Sequence, residues 1–168
     1  TGRIVGFRTR KNLLDEPTSN SAPLMYAQHF QDGRFEWPLL GASKPNAICI
    51  NDETRRLLVP AGNYVLTKRL SSKEEKRRII AALYEGEQVS GDSAIGFENK
   101  TNYFHSGGEG LPLCVAKGLS VYLNSTFVDK FFRQFNGHTQ VNATDIRAMR
   151  FPALEEIVNM GIDYDQVI

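Results

Sequence analysis

Apolar and polar positions alternate through much of the first two thirds of the chain. In the last third the apolar residues instead recur every three or four positions. The alternation predicts a short strand over residues 3–8 ("RIVGFR"). Residues 12–23 are rich in Asn, Asp, Pro and Ser and predict a loop. "PLMYAQHFQDGRFEWP" predicts strand, turn and strand, because Asp32-Gly33 between apolar runs is a hairpin signal. "NAICIN" and "GNYVLTKRL" predict further strands, and "DETRRLLV" a short helix capped by Asn51 or Asp52. "SSKEEKRRIIAALYE" carries two signals. Ser72 with Glu75 fits a helical capping box, while a strand enters at Leu70 and the segment leads on to "AIGFENKTNYFH". The hairpin is the favoured reading, with residues 71–76 at its tip.

From Leu111 to Phe135 the spacing of Val115, Leu119, Tyr122, Leu123, Phe127, Phe131 and Phe135 predicts helix. Asn124-Ser125 is a candidate break, with Ser125 able to cap a second helix. The three phenylalanines are expected in the core. Ten residues with almost no aliphatic bulk come next, 136–145. Thr144 is a candidate cap for one helical turn, "AMRFP" for a short strand ended by Pro152, and "ALEEIVNMG" for a last helix closed by Gly161. Strands first and helices later predict an α+β fold: an antiparallel β-rich N-terminal part, then a helical C-terminal third with a short returning strand.

Composition adds limits. The chain has 168 residues, 41% of them hydrophobic, which suits one domain with a real core. Cys49 and Cys114 lack CxxC spacing and read as buried free thiols. No apolar run reaches the ~18 residues that a membrane span needs, and no signal peptide is visible, so the expected location is the cytoplasm. The sequence opens abruptly at Thr1 and reads as a piece excised from something longer.

Net charge is only +1, but it is unevenly spread. Arg3, Arg8, Arg10 and Lys11 have no acid among them, and residues 68–78 hold six bases against two acids. From Pro152 onward there are four acids and no Lys or Arg. Such segregation lets one face follow phosphates; ordinary solvated surface accounts for it equally well. The catalytic motifs are missing: no P-loop, GxSxG, HExxH or dinucleotide glycine fingerprint. "HSGGEG" reads as a flexible turn. His29, His105 and His138 have no metal-ligand spacing, and no metal is expected. A nuclease would need clustered acids. Asp92 with Glu98, or Asp145 with Glu155, are the pairs available, without a recognisable nuclease spacing.

The polar segment admits two readings. Asn136, His138, Thr139, Gln140 and Asn142 carry the groups that read base edges in a major groove. The same residues satisfy loop backbone through local turns, and the residues alone leave both open.

The chain also carries a resemblance. "GLSVYLNSTFVDKFFRQFNGHTQVNATDIRAMRFP" resembles the C-terminal region of bacterial restriction–modification adenine-N6 DNA methyltransferases of the TaqI-like, gamma-ordered class. "KPNAICI", "NYVLTKRLSSKEEKRRIIAAL" and "IGFENKTNYFH" are similar to the segments preceding it there. The likeness covers roughly residues 45–152, with "TGRIVGFRTR" matching more loosely.

The resemblance implies that residues 1–168 form a single DNA target-recognition domain. In that class the catalytic domain binds S-adenosylmethionine and holds an Asn-Pro-Pro-aromatic motif. This sequence has neither that motif nor a cofactor glycine motif. The chain is therefore expected to bind no cofactor and to be non-catalytic alone. Its expected partners are double-stranded DNA and the catalytic domain of the same polypeptide. Arg8, Arg10, Lys11, Lys44, Lys68, Arg69, Lys73, Asn99, Lys100 and Tyr103 are the candidate DNA contacts, with His138, Thr139 and Gln140 projecting into the cleft. Gly137, with a positive φ, Asn142, Thr144 and Asp145 are the candidates for shaping the loop. The alternative is a specificity-subunit domain of a multi-subunit restriction system, although those usually occur in pairs.

Overall fold

Tyr64–Lys68 and Ala81–Tyr84 form strands in which nearly every residue is buried. Both faces of this strand pair must therefore be covered, and the architecture follows from that. The computed structural model describes residues 1–88, 94–135 and 137–164. Its strands are β1 (Leu13–Leu14), β2 (Ser21–Met25), β3 (Phe30–Gln31), β4 (Arg34–Phe35), β5 (Ala47–Cys49), β6 (Val59–Pro60), β7 (Tyr64–Lys68), β8 (Ala81–Tyr84), β9 (Ala94–Phe97) and β10 (Thr101–Phe104). The helices are α1 (Leu113–Leu123), α2 (Thr126–Phe135), α3 (Ala143–Arg147) and α4 (Leu154–Ile162). The fold is α+β.

One sheet has the order β1-β5-β2-β9-β6 and the other β10-β7-β8-β4-β3. Most pairs are antiparallel, but β2–β9 and β4–β8 are parallel, so both sheets are mixed. The side-chain period of two sorts the core into layers. Tyr64, Leu66 and Tyr84 from the second sheet meet Met25, Ile95 and Phe97 from the first. Val65, Ala81 and Leu83 point the other way, under Leu119, Leu123, Val128 and Phe132 of the helices. Leu24, Ala22 and Ile48 close the outer face of the first sheet with Ile4.

The predicted hairpins form. Asp32 and Gly33 take φ of 45° and 84°, the left-handed pair that a two-residue turn requires, and Phe30 faces Phe35 across it. β7 and β8 pair antiparallel around a tip in which the Ser72 N–H donates to Glu75 Oε1 at 3.1 Å. The capping-box contact is thus present without a helix, because the flanking strands fix both ends of the segment. The helical stretch breaks at Asn124-Ser125, as expected. Ser125 Oγ accepts from the Val128 N–H at 3.2 Å, and the Asn124 amide accepts from and donates to the backbone of Ala81. That break fastens the helices to β8.

Several expectations fail for identifiable reasons. "RIVGFR" makes a single bridge, Ile4 to Glu98, before turning away. "DETRRLLV" does form a helix with Asn51 Oδ1 accepting from the Glu53 and Thr54 N–H groups, but only as one 3-10 turn, Arg55–Leu57. Phe127 and Phe131 are exposed, at 68% and 39%, while Val128 and Phe132 are buried. The buried stripe of α2 lies one residue away from the phenylalanine stripe, because Asn124 and the break re-phase the helix. The side chain of Phe135 lies outside the described residues. Cys114 is exposed and Cys49 partly so, not buried.

Gly161 does not end the last helix but sits inside it. A Cβ on Gly161 would stand 1.9 Å from the Cys114 carbonyl oxygen, and one on Gly118 1.7 Å from that of Ile157. The two glycines let α1 and α4 touch backbone to backbone. Residues 148–153 form no strand; the chain returns to the sheet through a single bridge instead, Gln140 to Leu70.

A buried histidine holds the loop before β5. His29 is fully buried; its Nδ1 accepts from the Tyr26 N–H at 2.9 Å and its Nε2 lies 3.0 Å from Asn46 Oδ1. Burial lowers its pKa below the ordinary 6.5, against the two hydrogen bonds. The folded state therefore holds the ring neutral, while the unfolded chain protonates below about pH 6.5. The stability this ring contributes is present above that pH and is lost as pH falls beneath it. Melting temperature should drop between pH 7 and 5, by up to about 1.4 kcal/mol of stability per unit. A flat profile over that window, with the His29 ring seen by NMR to protonate near 6.5, would contradict it.

Candidate nucleic-acid interface

The polar stretch is placed by the residues after β7. Leu70 bridges antiparallel to Gln140. The Ser71 N–H donates to Thr139 O at 3.0 Å and the Val141 N–H to Arg69 O at 2.8 Å. Val141 is fully buried among the helices, and Asn102 Nδ2 donates to its carbonyl at 2.9 Å. Residues 139–141 thus have their backbone engaged, while the side chains of His138, Thr139 and Gln140 are exposed.

Residues 142–145 instead shape the loop locally. Asn142, not Thr144, is the N-cap of α3, and its N–H donates to Asp145 Oδ2 at 3.1 Å. Thr144 lies in the first turn, exposed. The cap falls two residues earlier because Asp145, at the third helical position, reaches back to Asn142. Gly137 is exposed and a Cβ there would meet open space, so crowding does not demand glycine. Asn136 lies outside the described residues.

Cations gather beside the loop. Arg69, Leu70, Lys100 and Gln140 line a cleft of about 200 Å³. The Arg69 N–H donates to Lys100 O, and its guanidinium reaches Asn99 O at 2.8 Å and Asn142 Oδ1 at 3.5 Å. Its Nε is buried without a partner. Beneath them sits Glu98, 6% exposed. Burial pushes its carboxyl above the usual range, against the Lys100 N–H and the charges of Lys100, Lys44 and Arg69. The charges of all three favour its ionised form. Lys44 is carried on the loop that the Asn46 side chain pins, donating to Asp15 O and Leu39 O and accepting from the Leu39 N–H.

Other candidates lie less centrally. Lys68 stands over the Phe30 ring at 6.0 Å. Lys73 is exposed at the hairpin tip, whose carbonyls at Lys73 and Glu75 accept from Arg133 of α2 at 2.8 Å. Arg8, Arg10 and Lys11 come after the turn beyond Ile4, and Lys11 is paired with Glu53 at 2.8 Å. Tyr103 packs against Phe97, with centroids 4.9 Å apart, and also lines a second cleft of about 310 Å³ with Asn102, His105 and Arg147.

Sequence reading passes over Asn102 and Arg78 and takes Glu98 only as half of an acidic pair, yet all three are buried in support of the site. Nothing local marks Arg78 apart from Arg77 beside it; only the pairing of β7 with β8 does. Among the described residues no group of three or more His, Cys, Asp or Glu side chains converges on a point. Asp92, the other half of that acidic pair, lies outside them.

Comparison with known proteins supplies the context. The chain is 53% identical over 165 residues to the type II methyltransferase M.PstI of Providencia stuartii, and 48% identical over 161 residues to the type II methyltransferase M.BsuBI of Bacillus subtilis. These alignments take in 98% and 96% of the chain but 32% of each relative. It is similar to one third of a type II methyltransferase. No family model matches the chain, and no solved structure does. Among the described residues, no helix is long and apolar enough to cross a membrane.

Proposed function

We propose that this chain is the sequence-specific double-stranded DNA recognition domain of a restriction–modification adenine-N6 methyltransferase. It positions the target adenine for methyl transfer from S-adenosylmethionine by a catalytic domain outside these 168 residues. The observation that carries the reading is the pairing of residues 139–141 with 69–71 beside Arg69 and Lys100. Two backbone hydrogen bonds and the Asn102 amide fix the course of residues 139–141, so His138, Thr139 and Gln140 are presented from a fixed rail. A glutamine so held can pair bidentately with adenine, while the adjacent cations follow phosphates and set register.

The similarity to type II methyltransferases supports this reading, and so does its extent. The relatives are about three times as long, which leaves room for the S-adenosylmethionine site and the Asn-Pro-Pro-aromatic motif that this sequence lacks. A methyltransferase that acts on a base in duplex DNA must swing it out of the stack, and a recognition domain gripping the duplex gives that movement a fixed frame.

The test is Gln140→Ala in the full-length enzyme. Its side chain is exposed, so the melting temperature should stay within about 2 °C, in line with surface substitutions of roughly 0.5 kcal/mol or less. Discrimination between the methylated site and single-base variants should fall by about 1–3 kcal/mol, or roughly 5- to 150-fold. A variant that melts early but methylates the same sites with the same fidelity would make the loop structural and defeat the proposal.

A further inference from the structure

The loop's rail has one fastening that the sequence hides in a run of ordinary surface bases. Arg78 is 1% exposed and heads the fully buried side chains by volume. A guanidinium is rarely buried unless its donors are met. Here Nε donates to Ser71 Oγ at 3.2 Å, Nη2 donates to the carbonyl of His138, and the guanidinium lies over the Phe132 ring at 5.8 Å. The Ser71 hydroxyl returns the contact to Arg78 O at 2.7 Å, and the Arg78 N–H donates to Asp129 Oδ1 at 2.7 Å. One residue therefore joins the hairpin tip, α2 and the first residue of the polar rail.

We propose that Arg78 is the positioning residue for base reading: its fork sets where His138, and hence Thr139 and Gln140, stand relative to the cation cluster. This rests on the DNA-reading function proposed above. Backbone pairing fixes Thr139 to Val141 but leaves the direction of approach from α2 open, and the Arg78–His138 bond settles it. A lysine has a point charge in place of the planar fork and cannot serve Ser71 and His138 together in this geometry. A hydroxyl, a carbonyl and a ring face each meet a different part of the guanidinium, so the contact is directional rather than merely electrostatic.

The experiment compares Arg78→Lys, Ser71→Ala and Gln140→Ala with the parent 168-residue chain. Backbone hydrogen exchange reads the loop. Binding to a duplex selected from a random pool about two helical turns long, and to its single-base variants, reads discrimination. Arg78→Lys should raise exchange of the Ser71 and Val141 amides, which hold the loop to residues 69–71, about tenfold or more, leave β7 and α1 protected, and lower discrimination as far as Gln140→Ala does. Ser71→Ala should do the same more weakly, and it carries the test should Arg78→Lys fail to fold. Parent-like loop exchange in the folded variants, or exchange that rises equally in the whole core, overturns the proposal. Loosened loop exchange with unchanged discrimination overturns it too, provided Gln140→Ala lowers discrimination. If Gln140→Ala itself leaves discrimination intact, the failure belongs to the DNA-reading function of the loop, and the positioning role falls with it.

Discussion

Replacing Gly161 by alanine should lower the stability of the chain by about 3 kcal/mol or more, at the upper end of what overpacking costs. The new Cβ would stand 1.9 Å from the Cys114 carbonyl oxygen and 3.0 Å from the Gly118 nitrogen. Both are backbone atoms of a packed helix, so no side-chain rotation relieves the clash and α4 must move off α1. For a chain of this size each kcal/mol is roughly 2–4 °C in melting temperature, which predicts a fall of about 6–12 °C. Gly118→Ala meets the Ile157 carbonyl at 1.7 Å and should cost as much. The double variant should cost clearly less than the sum, because helices already parted leave room for the second methyl. Thermal melts of the three variants by circular dichroism provide the check. A Gly161→Ala melt within about 2 °C of the parent would show that the helices are not in backbone contact.

Duplex binding should weaken steeply with salt. If Lys44, Arg69, Lys73 and Lys100 each neutralise a phosphate, log K should fall against log salt with a slope of about −3 to −4. Between about 50 and 200 mM that is a loss of roughly 100-fold. Lys44→Ala with Lys100→Ala should flatten the slope by about two and weaken all sequences alike, since phosphate contacts carry no base information. Fluorescence anisotropy across a salt series measures both quantities. A salt-independent affinity, or a double variant that keeps the parent slope, would remove these lysines from the interface. Lys11 should contribute less than its position in the basic run suggests, since Glu53 already holds it.

Legibility in the sequence tracks the locality of the signal. Asp32-Gly33 is readable because a two-residue turn is decided by its own two residues. The break at Asn124-Ser125 is readable for the same reason, since Ser125 caps the very next turn. The α2 stripe misleads because periodicity gives a helix its apolar faces but not its rotation; the Asn124 contacts to Ala81 set that, from far away in the chain. Gly161 looks like a stop signal because a glycine near the end of an apolar run usually is one. Its actual role depends on Gly118, which no local window contains. The polar loop stands out by composition, but its partner, residues 69–71, shows only through the antiparallel bridge at Leu70. Arg78 is hidden for a related reason: burial of one arginine among several is a property of the fold.

The parallel pairing of β2 with β9 has a consequence for the newly made chain. β5 supplies an antiparallel neighbour soon after β2 is synthesised. The other edge of β2 must wait until Ala94–Phe97 has left the ribosome, with all of β7 and β8 made in between. Pairing across so long a separation is slow, because the loop must close before any contact rewards it. During that interval β2 has an open strand edge, and Met25, completely buried in the finished protein, waits for the second sheet that covers it. That segment is where a holding chaperone would find this nascent chain, and where two such chains growing side by side would be most apt to pair with each other.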